Sequence, residues 1–348
     1  MNCIDLFSGV GGLSLGFKEQ GFNVVLAVEN DPEIATGYEK NFPETKLIVE
    51  DVAKIDFTKC LSETSSDGID VVFGGPPCQG FSQKGKRLHL NDERNYLFRA
   101  FIDVVRITRP KFFVMENVPN ILTASNRYFY REIEQEVKKL GYKMTAKVLN
   151  AVHFGVPQSR RRAFIVGFIN KGYSFPEPTN KVWTVGDALS DLPFLYSGEG
   201  KEFYPYEKGI NNDYQKRLRV GSDGVYHQAA NHSKVALERL SMIPHEGGCR
   251  DSLPEEHRTK SIYSGTWSRM RSDRPARTVT TRFDTPSSGQ FTLPTQDRCI
   301  TVREAARLQS FPDRFIFTGS KGTQMKQVGN AVPPLLALAV ASSLARFF

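Results

Sequence analysis

The sequence predicts an α/β fold, in which a doubly wound, mostly parallel sheet is joined to a second, smaller, loop-rich domain. Three observations lead to this prediction. Between residues 2 and 170, short apolar runs alternate with helix-like stretches, as in parallel strands joined by crossover helices. From residue 171 to about 290 the chain is rich in Gly, Pro, Tyr, Arg and Ser. Its 348 residues also exceed the roughly 250 to 300 at which a single core stops growing.

Each element follows from the local pattern. The strand candidates are the apolar runs at 2–7, 23–28, 47–49, 70–73, 112–116, 142–150 and 163–168. Helices are predicted at 13–20, 32–41, 97–109, 130–140, 232–243 and 334–348, and Thr301 and Glu304 have the spacing of a capping box. The last helix is expected to return and pack beside the first strand and helix. We expect residues 1–170 with 322–348 to form one domain, 171–290 a second, and 291–321 a connecting hinge.

Composition narrows the function classes. The net charge of +8 and the pI near 9.1 suggest a polyanionic partner. Five cysteines, odd in number and widely scattered, indicate neither a zinc site nor a disulfide framework. The first ten residues carry Asp5 inside their apolar run and do not read as a signal peptide. The most apolar tract, 335–341, is far shorter than the ~20 residues that span a bilayer. We therefore predict a cytoplasmic protein without membrane contact or metal.

A glycine-rich turn from Phe7 to Phe17 follows the first strand and opens a helix, where a cofactor can lie against the backbone. Glu29, at the end of the second strand, stands where nucleotide-binding sheets hold ribose hydroxyls. Asp51 follows the third strand, where its carboxylate could accept a hydrogen bond from an adenine amino group or could cap the amino terminus of a helix. The pattern favours an adenosine-containing cofactor. It does not separate NAD from S-adenosylmethionine, although the glycine spacing is not GxGxxG.

The most informative loop is Gly74-Gly75-Pro76-Pro77-Cys78-Gln79-Gly80-Phe81-Ser82, directly after an apolar strand. It places Cys78 at the carboxyl end of a strand, where open α/β sheets perform chemistry. An isolated cysteine is more often a small buried hydrophobe. Here the Gly, Pro, Gln and Ser neighbours indicate a surface turn and therefore a candidate nucleophile.

Two further groups are predicted near Cys78. Glu116 ends another buried strand, as a candidate general acid or a structural ion-pair partner. Arg160, Arg161 and Arg162 precede the next apolar strand. Alternation would direct Arg160 and Arg162 to one side, where they could hold a planar base or a phosphate; a solvated basic run is the alternative.

Together these motifs resemble the DNA (cytosine-5)-methyltransferases of the bacterial or phage restriction-modification type. The blocks that carry the resemblance occur in the family's order: DLFSGVGG at 5–12, PPCQGFS at 76–82, ENV at 116–118, QSRRR at 158–162, RPARTVTT at 274–281 and GNAVPP at 329–334. The stretch 172–261 lacks a strong motif, and there the family places its variable target recognition domain.

The resemblance implies a Rossmann-like methyltransferase that uses S-adenosylmethionine, releases S-adenosylhomocysteine and needs no metal. Cys78 would add to C6 of a flipped cytosine, with Glu116 at N3, and Arg160 and Arg162 would orient the base and the thiol. The implied cofactor residues are Phe7, Ser8, Gly9, Gly11, Gly12, Glu29, Asn30, Asp51, Val52, Pro76, Leu97, Asn330 and Ala331. The implied DNA contacts are Gln79, Ser82, Lys84, Arg87 and Arg250, with Arg217, Arg219, His227 and Arg258 as further candidates for base or phosphate contacts.

The expected substrate is double-stranded DNA with a short specific site, methylated by a monomer, with a cognate restriction endonuclease acting separately. A regulatory enzyme without an endonuclease would share this sequence pattern. Alternatives are an RNA (tRNA) cytosine-5 methyltransferase, a catalytically inactive DNA-binding relative and an NAD-dependent oxidoreductase. Cys78-Gln79-Gly80 favours DNA, since the RNA-directed relative has Cys-Phe-Thr there. The oxidoreductase hypothesis does not explain Cys78, Glu116 and the arginines together.

Overall fold

The computed structural model describes residues 1–62, 68–77, 97–170, 172–259 and 264–348. This part of the chain divides into two compact units. The sheet unit comprises Met1–Asn150, Arg161–Pro178 and Pro334–Phe348, and the second unit comprises Ala151–Arg160 and Thr179–Pro333. Residues 151–160 and 322–333, which the sequence analysis grouped with the first domain, thus fall in the second unit. The assignment of catalytic and recognition roles to domains stays a prediction.

The sheet unit is built on seven strands. In chain order they are β1 (Asn2–Leu6), β2 (Asn23–Glu29), β3 (Lys46–Val49), β4 (Val71–Gly74), β5 (Phe112–Asn117), β6 (Lys143–Asn150) and β7 (Arg161–Phe168). Their order across the sheet is β3-β2-β1-β4-β5-β7-β6. β1 to β5 pair in parallel, whereas β7 runs antiparallel to β5 and β6. Every residue of β4 and β5 is buried, as expected of central strands covered on both faces. The predicted doubly wound, mostly parallel sheet is confirmed.

The helices of this unit are α1 (Gly12–Glu19), α2 (Pro32–Asn41), α3 (Phe57–Ser62), α4 (Leu97–Thr108), α5 (Ala124–Lys139) and, at the end of the chain, α11 (Pro334–Ala345). Local sequence explains the start of α2, because Asp31 accepts hydrogen bonds from the amides of Glu33 and Ile34 and proline follows it. α5 begins earlier than the predicted 130–140, but its backbone is left-handed at 125–127, so the regular part matches the prediction closely.

The return of the last helix to the first strand–helix pair is confirmed. A Cβ at Gly16 of α1 would lie 2.5 Å from Ala337 Cβ and 2.5 Å from the backbone nitrogen of Leu338 in α11. Only glycine allows the two helices to approach so closely. The stretch Lys321–Ala345 is long and apolar enough to cross a membrane by length and composition, but 67% of its apolar window is buried within the protein. The packing of α11 against α1 is that of a core helix.

The second unit has short elements. They are α6 (Val185–Leu189), β8 (Gly200–Pro205), α7 (Asp213–Leu218), β9 (Gly224–Gln228), α8 (Lys234–Met242), α9 (Val302–Leu308) and α10 (Lys321–Asn330). The helix predicted at 232–243 is confirmed as α8, and the capping box of Thr301 and Glu304 opens α9. Four elements of this unit were not predicted: α6, α7, the β8–β9 ribbon and α10. The first three have strands or helices of only five or six residues, too short for their periodicity to be recognised. α10 has ten residues, Lys321–Asn330, and was missed although its length is sufficient.

Buried charged groups join the segments of this unit. Arg307, which is completely buried, donates hydrogen bonds to the carboxylates of Asp191 and Asp313. Arg219 Nε donates to Asp191 at 2.8 Å, and His227 Nδ1 lies 3.0 Å from Thr301 Oγ1. Burial speaks against the suggested DNA contact of His227, whereas that of Arg219 stays a prediction. His227 is only 1% exposed, and the Arg219 side chain is paired and 9% exposed.

Candidate active site

The glycine-rich turn after β1 is shaped by left-handed backbone. Phe7, Gly9 and Gly11 have φ angles of 58°, 56° and 96°. The turn is fixed by hydrogen bonds from the amide of Ser8 to the carbonyl of Val28 (2.9 Å) and from the amide of Gly9 to Glu29 Oε2 (2.8 Å). A Cβ at Gly9 would meet no atom of the described residues within 4 Å. The first amides of α1 follow directly, and such amides attract anionic groups.

Glu29 connects the ends of β1 and β2. Its two carboxylate oxygens accept from the amides of Gly9 (2.8 Å) and Asp31 (2.9 Å), and the residue is 8% exposed. Burial raises the pKa of Glu29, while these amide hydrogen bonds lower it. An oxygen that already accepts one amide can accept a second donor, such as a ribose hydroxyl.

The residues at this edge fit the methyl donor of the family. Ser8 Oγ is buried without a hydrogen-bond partner among the described residues, as expected of a group awaiting a ligand. Glu29 offers acceptors for hydroxyl groups, and the amino terminus of α1 offers donors for a carboxylate. S-adenosylmethionine carries both kinds of group.

The other predicted cofactor residues lie in several places. Asp51 accepts a hydrogen bond of 3.0 Å from the amide of Ala53 and so caps the amino terminus of the short helix Val52–Lys54. This is the second of the two roles that the sequence suggested for Asp51. Val52 is buried, Asn30 is exposed and Leu97 begins α4. Asn330 is the exposed last residue of α10, and both it and Ala331 belong to the second unit. Their contact with a cofactor stays a prediction.

Glu116 and Arg162 form an ion pair at one end of the sheet. Arg162 Nε lies 2.9 Å from Glu116 Oε1, and the side chains are 16% and 12% exposed. The register explains the approach, because Glu116 of β5 pairs with Phe164 of β7, two residues beyond Arg162. The structure thus brings together two of the four residues for which the sequence predicts catalytic roles.

The end of β4 reaches the same place. A Cβ at Gly75 would lie 2.9 Å from Glu116 Oε2, and Asn117 Nδ2 donates to the carbonyl of Pro76 at 2.9 Å. The described chain ends here at Pro77, the residue before Cys78. Cys78 and the predicted DNA contacts Gln79, Ser82, Lys84 and Arg87 lie outside the described residues.

Arg160 differs from Arg162. It precedes β7, so strand alternation does not govern its direction, and it belongs to the second unit. Its guanidinium donates to the carbonyls of Val279 (2.9 Å) and Gly329 (2.8 Å), and the residue is 1% exposed. Gly329 also lies against Thr280, whose carbonyl oxygen would be 2.3 Å from a Cβ at that position. Arg160 therefore fixes the backbone just before Asn330.

Two groups of polar residues to which the sequence assigns no individual role form buried hydrogen-bond networks. Gln158 Nε2 donates to the carbonyl of Leu308, and its Oε1 accepts from the amide of Val279 at 2.8 Å. In the sheet unit, Ser14 Oγ donates to Asp5 Oδ2 at 2.6 Å and lies 2.8 Å from Tyr38 OH. Burial raises the pKa of Asp5 to about 8, although the hydrogen bond from Ser14 acts in the opposite direction. The carboxyl of Asp5 inside an apolar run is visible in the sequence, but its contact with Ser14 is visible only in the structure.

The remaining predicted contacts are less defined. Arg250 lies in the short helix Arg250–Ser252 with its side chain 41% exposed, and its Nε lies 3.7 Å from Asp251 Oδ1. Its DNA contact stays a prediction. Within the described ranges, no cluster of three or more His, Cys, Asp or Glu side chains is arranged to hold a metal ion.

Comparison with known proteins identifies the family. The model of the C-5 cytosine-specific DNA methylases matches residues 1–346. The chain is 42% identical to the type II methyltransferase M1.HphI of Haemophilus parahaemolyticus, covering 98% of this chain and 86% of that protein. It is 39% identical to M.DdeI of Desulfomicrobium norvegicum, covering 100% and 89%. A crystal structure of a prophage-encoded E. coli protein, described as a DNA modification methyltransferase, aligns with a TM-score of 0.82 at 28% identity over 99% of both chains.

These matches extend over nearly the whole chain and include the motifs on which the prediction was based. They confirm the predicted DNA cytosine-5 methyltransferase activity over the alternatives, and S-adenosylmethionine is the cofactor of this family and fold. The chain belongs to the C-5 cytosine-specific DNA methylase family.

Proposed function

We propose that this chain methylates C5 of cytosine at a short specific site in duplex DNA, as the modification enzyme of a restriction-modification system. The observation that carries the catalytic part is the Glu116–Arg162 ion pair beside Gly75, on the loop that leads to Cys78. The similarity to M1.HphI and M.DdeI, both named type II methyltransferases, supports the biological role. We further propose that the enzyme acts in the cytoplasm as a monomer and needs no metal.

In the proposed reaction the Cys78 thiolate forms a bond to C6 of the cytosine ring. The electron pair of the C5–C6 double bond is thereby released toward C5 and the ring nitrogen N3. Glu116 hydrogen-bonds or protonates N3 and so accommodates the charge. Arg162, whose Nε lies 2.9 Å from Glu116 Oε1, would orient the carboxyl group and stabilise the carboxylate that remains after the proton has left.

When bound, S-adenosylmethionine supplies an electrophilic methyl group to the activated C5. As C5 takes the methyl group, the N3 proton returns to Glu116. Transfer of the C5 proton to a water molecule then restores the C5–C6 double bond and expels the Cys78 thiolate, so the enzyme is regenerated. Phe7, Ser8 and Glu29 would position the cofactor, with the last accepting hydrogen bonds from the ribose hydroxyls. The other predicted cofactor residues are Gly9, Gly11, Gly12, Asn30, Asp51, Val52, Pro76, Leu97, Asn330 and Ala331.

The second unit is proposed to hold the recognition surface for DNA. Because C5 of a stacked cytosine is inaccessible, the base must leave the duplex, which costs a few kcal/mol of unstacking. The positive net charge of the chain supports contact with the DNA backbone. Arg250 and the predicted loop residues Gln79, Ser82, Lys84 and Arg87 would contribute to that contact.

The test is methyl transfer from labelled S-adenosylmethionine to duplex DNA, followed by bisulfite sequencing of the product. Wild-type enzyme and the Cys78→Ser variant are compared, with transfer RNA as a parallel substrate. Protected cytosines within one short motif, absent with the variant, are the expected result. Incorporation into transfer RNA without incorporation into DNA would overturn the proposed substrate.

A further inference from the structure

Two adjacent glycines, Gly74 and Gly75, stand where β4 ends and the loop toward Cys78 begins. Neither has a positive φ angle, so an alanine could adopt the backbone conformation at both positions. The need for glycine at each position must therefore come from the atoms that surround the missing side chain. Those atoms differ between the two glycines.

At Gly74 the neighbouring atoms belong to the sheet. A Cβ there would lie 2.0 Å from the carbonyl oxygen of Leu6 in β1, the strand that pairs with β4. Both strands lie inside the seven-stranded sheet, so this oxygen cannot move aside without disturbing their pairing. The packing of the fold therefore requires glycine at position 74.

At Gly75 the neighbouring atoms belong to the predicted general acid. Among the described residues, a Cβ there would meet only Glu116, with Oε2 at 2.9 Å and the carbonyl oxygen at 3.7 Å. Non-bonded carbon atoms are optimally separated by about 3.5–4.0 Å, so a methyl group 2.9 Å from Oε2 would be repelled. Within this part of the chain, the side chain that is missing at position 75 makes room for Glu116.

The Glu116 carboxyl cannot move away from such a methyl group without a functional cost. Its side chain is 12% exposed, and Arg162 Nε lies 2.9 Å from Oε1. The loop is held as well, because Asn117 Nδ2 donates a buried hydrogen bond of 2.9 Å to the carbonyl of Pro76. A methyl group at position 75 would therefore displace the carboxyl, and the displacement would disturb its contact with Arg162.

We propose that Gly75 is a positioning residue for the methyl-transfer reaction. Its missing side chain leaves the Glu116 carboxyl at the place from which it contacts Arg162 and reaches N3 of the cytosine ring. A general acid must lie within hydrogen-bond distance of the atom that it protonates, and a misplacement of 1 Å can cost about 10²-fold in rate. The inference rests on the proposed role of Glu116 at N3. It distinguishes Gly75, which serves the reaction, from Gly74, which serves the fold.

The test compares Gly75→Ala, Glu116→Asp and the combined variant with wild-type enzyme. Aspartate is one methylene shorter than glutamate, so it withdraws the carboxyl from the added methyl group. Gly172→Ala is the matched control, because Gly172 lies in the same unit without a positive φ angle, and its added Cβ would meet no described atom within 4 Å. The measurements are kcat and KM for methyl transfer to duplex DNA, the affinity for S-adenosylhomocysteine, and thermal unfolding.

We expect Gly75→Ala to lower kcat by about 10²-fold, with thermal unfolding and the affinity for S-adenosylhomocysteine close to those of wild-type enzyme. Stability should be retained because a side-chain carboxyl can shift, and because alanine restricts the unfolded chain more than glycine does. Glu116→Asp should cost much less activity in the Gly75→Ala background than in wild-type enzyme, since both changes displace the same carboxyl group. Gly172→Ala should retain wild-type activity.

A crystal structure of Gly75→Ala gives a readout that needs no activity, and it should show the Glu116 carboxyl displaced from Arg162. An unmoved carboxyl would overturn the inference, and so would full activity of Gly75→Ala or losses that simply multiply in the combined variant. A loss of S-adenosylhomocysteine affinity as large as the loss of activity would also overturn it, because a displaced loop would carry the predicted cofactor residue Pro76 with it.

Failure of the proposed function would look different. Wild-type enzyme that transfers no methyl group to DNA, or a fully active Glu116→Asp variant, would contradict the proposed reaction. In both cases the position of the carboxyl in the Gly75→Ala crystal structure still decides whether Gly75 places it.

Discussion

The Glu116–Arg162 pair gives a quantitative prediction for the reaction. At 2.9 Å, with an effective dielectric constant of about 20, the gross attraction is about 6 kcal/mol. Desolvation of two largely buried groups offsets most of it, and hydrogen bonds to charged groups contribute about 1.5–3 kcal/mol net. We therefore expect the two side chains to be coupled in catalysis by about 1.5–3 kcal/mol, which is roughly 10- to 150-fold in kcat/KM.

The assay is a double-mutant cycle with Glu116→Gln, Arg162→Gln and the combined variant, measuring kcat/KM for methyl transfer to duplex DNA. Arg161→Gln is the matched control, because Arg161 is the exposed neighbour in the same strand. Each single variant should lose activity, and the combined variant should lose less than the product of the two losses. Affinity for S-adenosylhomocysteine should change little. If the two losses simply multiply, Arg162 does not act through Glu116 and the proposed role of the pair is refuted.

Three further predictions concern stability. Gly16→Ala should lower the free energy of unfolding by about 1–3 kcal/mol, because the added Cβ would lie 2.5 Å from atoms of α11. Gly322→Ala is the control in the same thermal melt and should have little effect, because its added Cβ would have its nearest neighbour at 3.7 Å. Arg307→Met should lower the free energy of unfolding by about 3–5 kcal/mol, because two carboxylates lose a buried partner. The measurement is urea unfolding followed by the fluorescence of Trp183 and Trp267, and a loss below about 1 kcal/mol would contradict this reasoning. Burial lowers the pKa of His227 from 6.5 to about 4. As the pH falls below 6.5, the histidine is therefore protonated in the unfolded chain before it is protonated in the folded protein. The free energy of unfolding should fall by up to about 3 kcal/mol between pH 6.5 and pH 4. His227→Gln should remove this pH dependence.

The sheet unit was largely predictable because its signals are local. A central parallel strand such as Phe112–Asn117 is an uninterrupted apolar run, and Asp31-Pro32 marks the start of a helix in the sequence itself. To locate the site, these local signals need only one general rule, that ligands bind at the carboxyl ends of parallel strands. Glu116 was therefore assigned to the catalytic edge before its partner was known.

The second unit was less predictable because contacts between distant residues determine its structure. In the sequence, Arg307 has no feature that distinguishes it from other residues of its helix. In the structure it donates a hydrogen bond to Asp191, which lies 116 residues away along the chain. His227 appears in the sequence as a basic residue of a basic region, and only folding buries it. The described part of this unit has short helices and a two-stranded ribbon, and the buried pairs of Arg307 with Asp191 and Asp313 connect its distant segments. Charge in the sequence therefore cannot be assigned to DNA contact without the structure.

Two of the three arginines in the Gln158–Arg162 motif, Arg160 and Arg162, have different structural roles. Arg162 enters β7 and reaches a carboxylate, so its charge is placed beside a reacting group. Arg160, two residues earlier, donates to the carbonyls of Val279 and Gly329, and its charge is used to hold backbone. Replacement of Arg162 should then impair the chemical step, whereas replacement of Arg160 should first impair folding of the second unit. Equal loss of stability in both variants would mean that the motif is structural throughout.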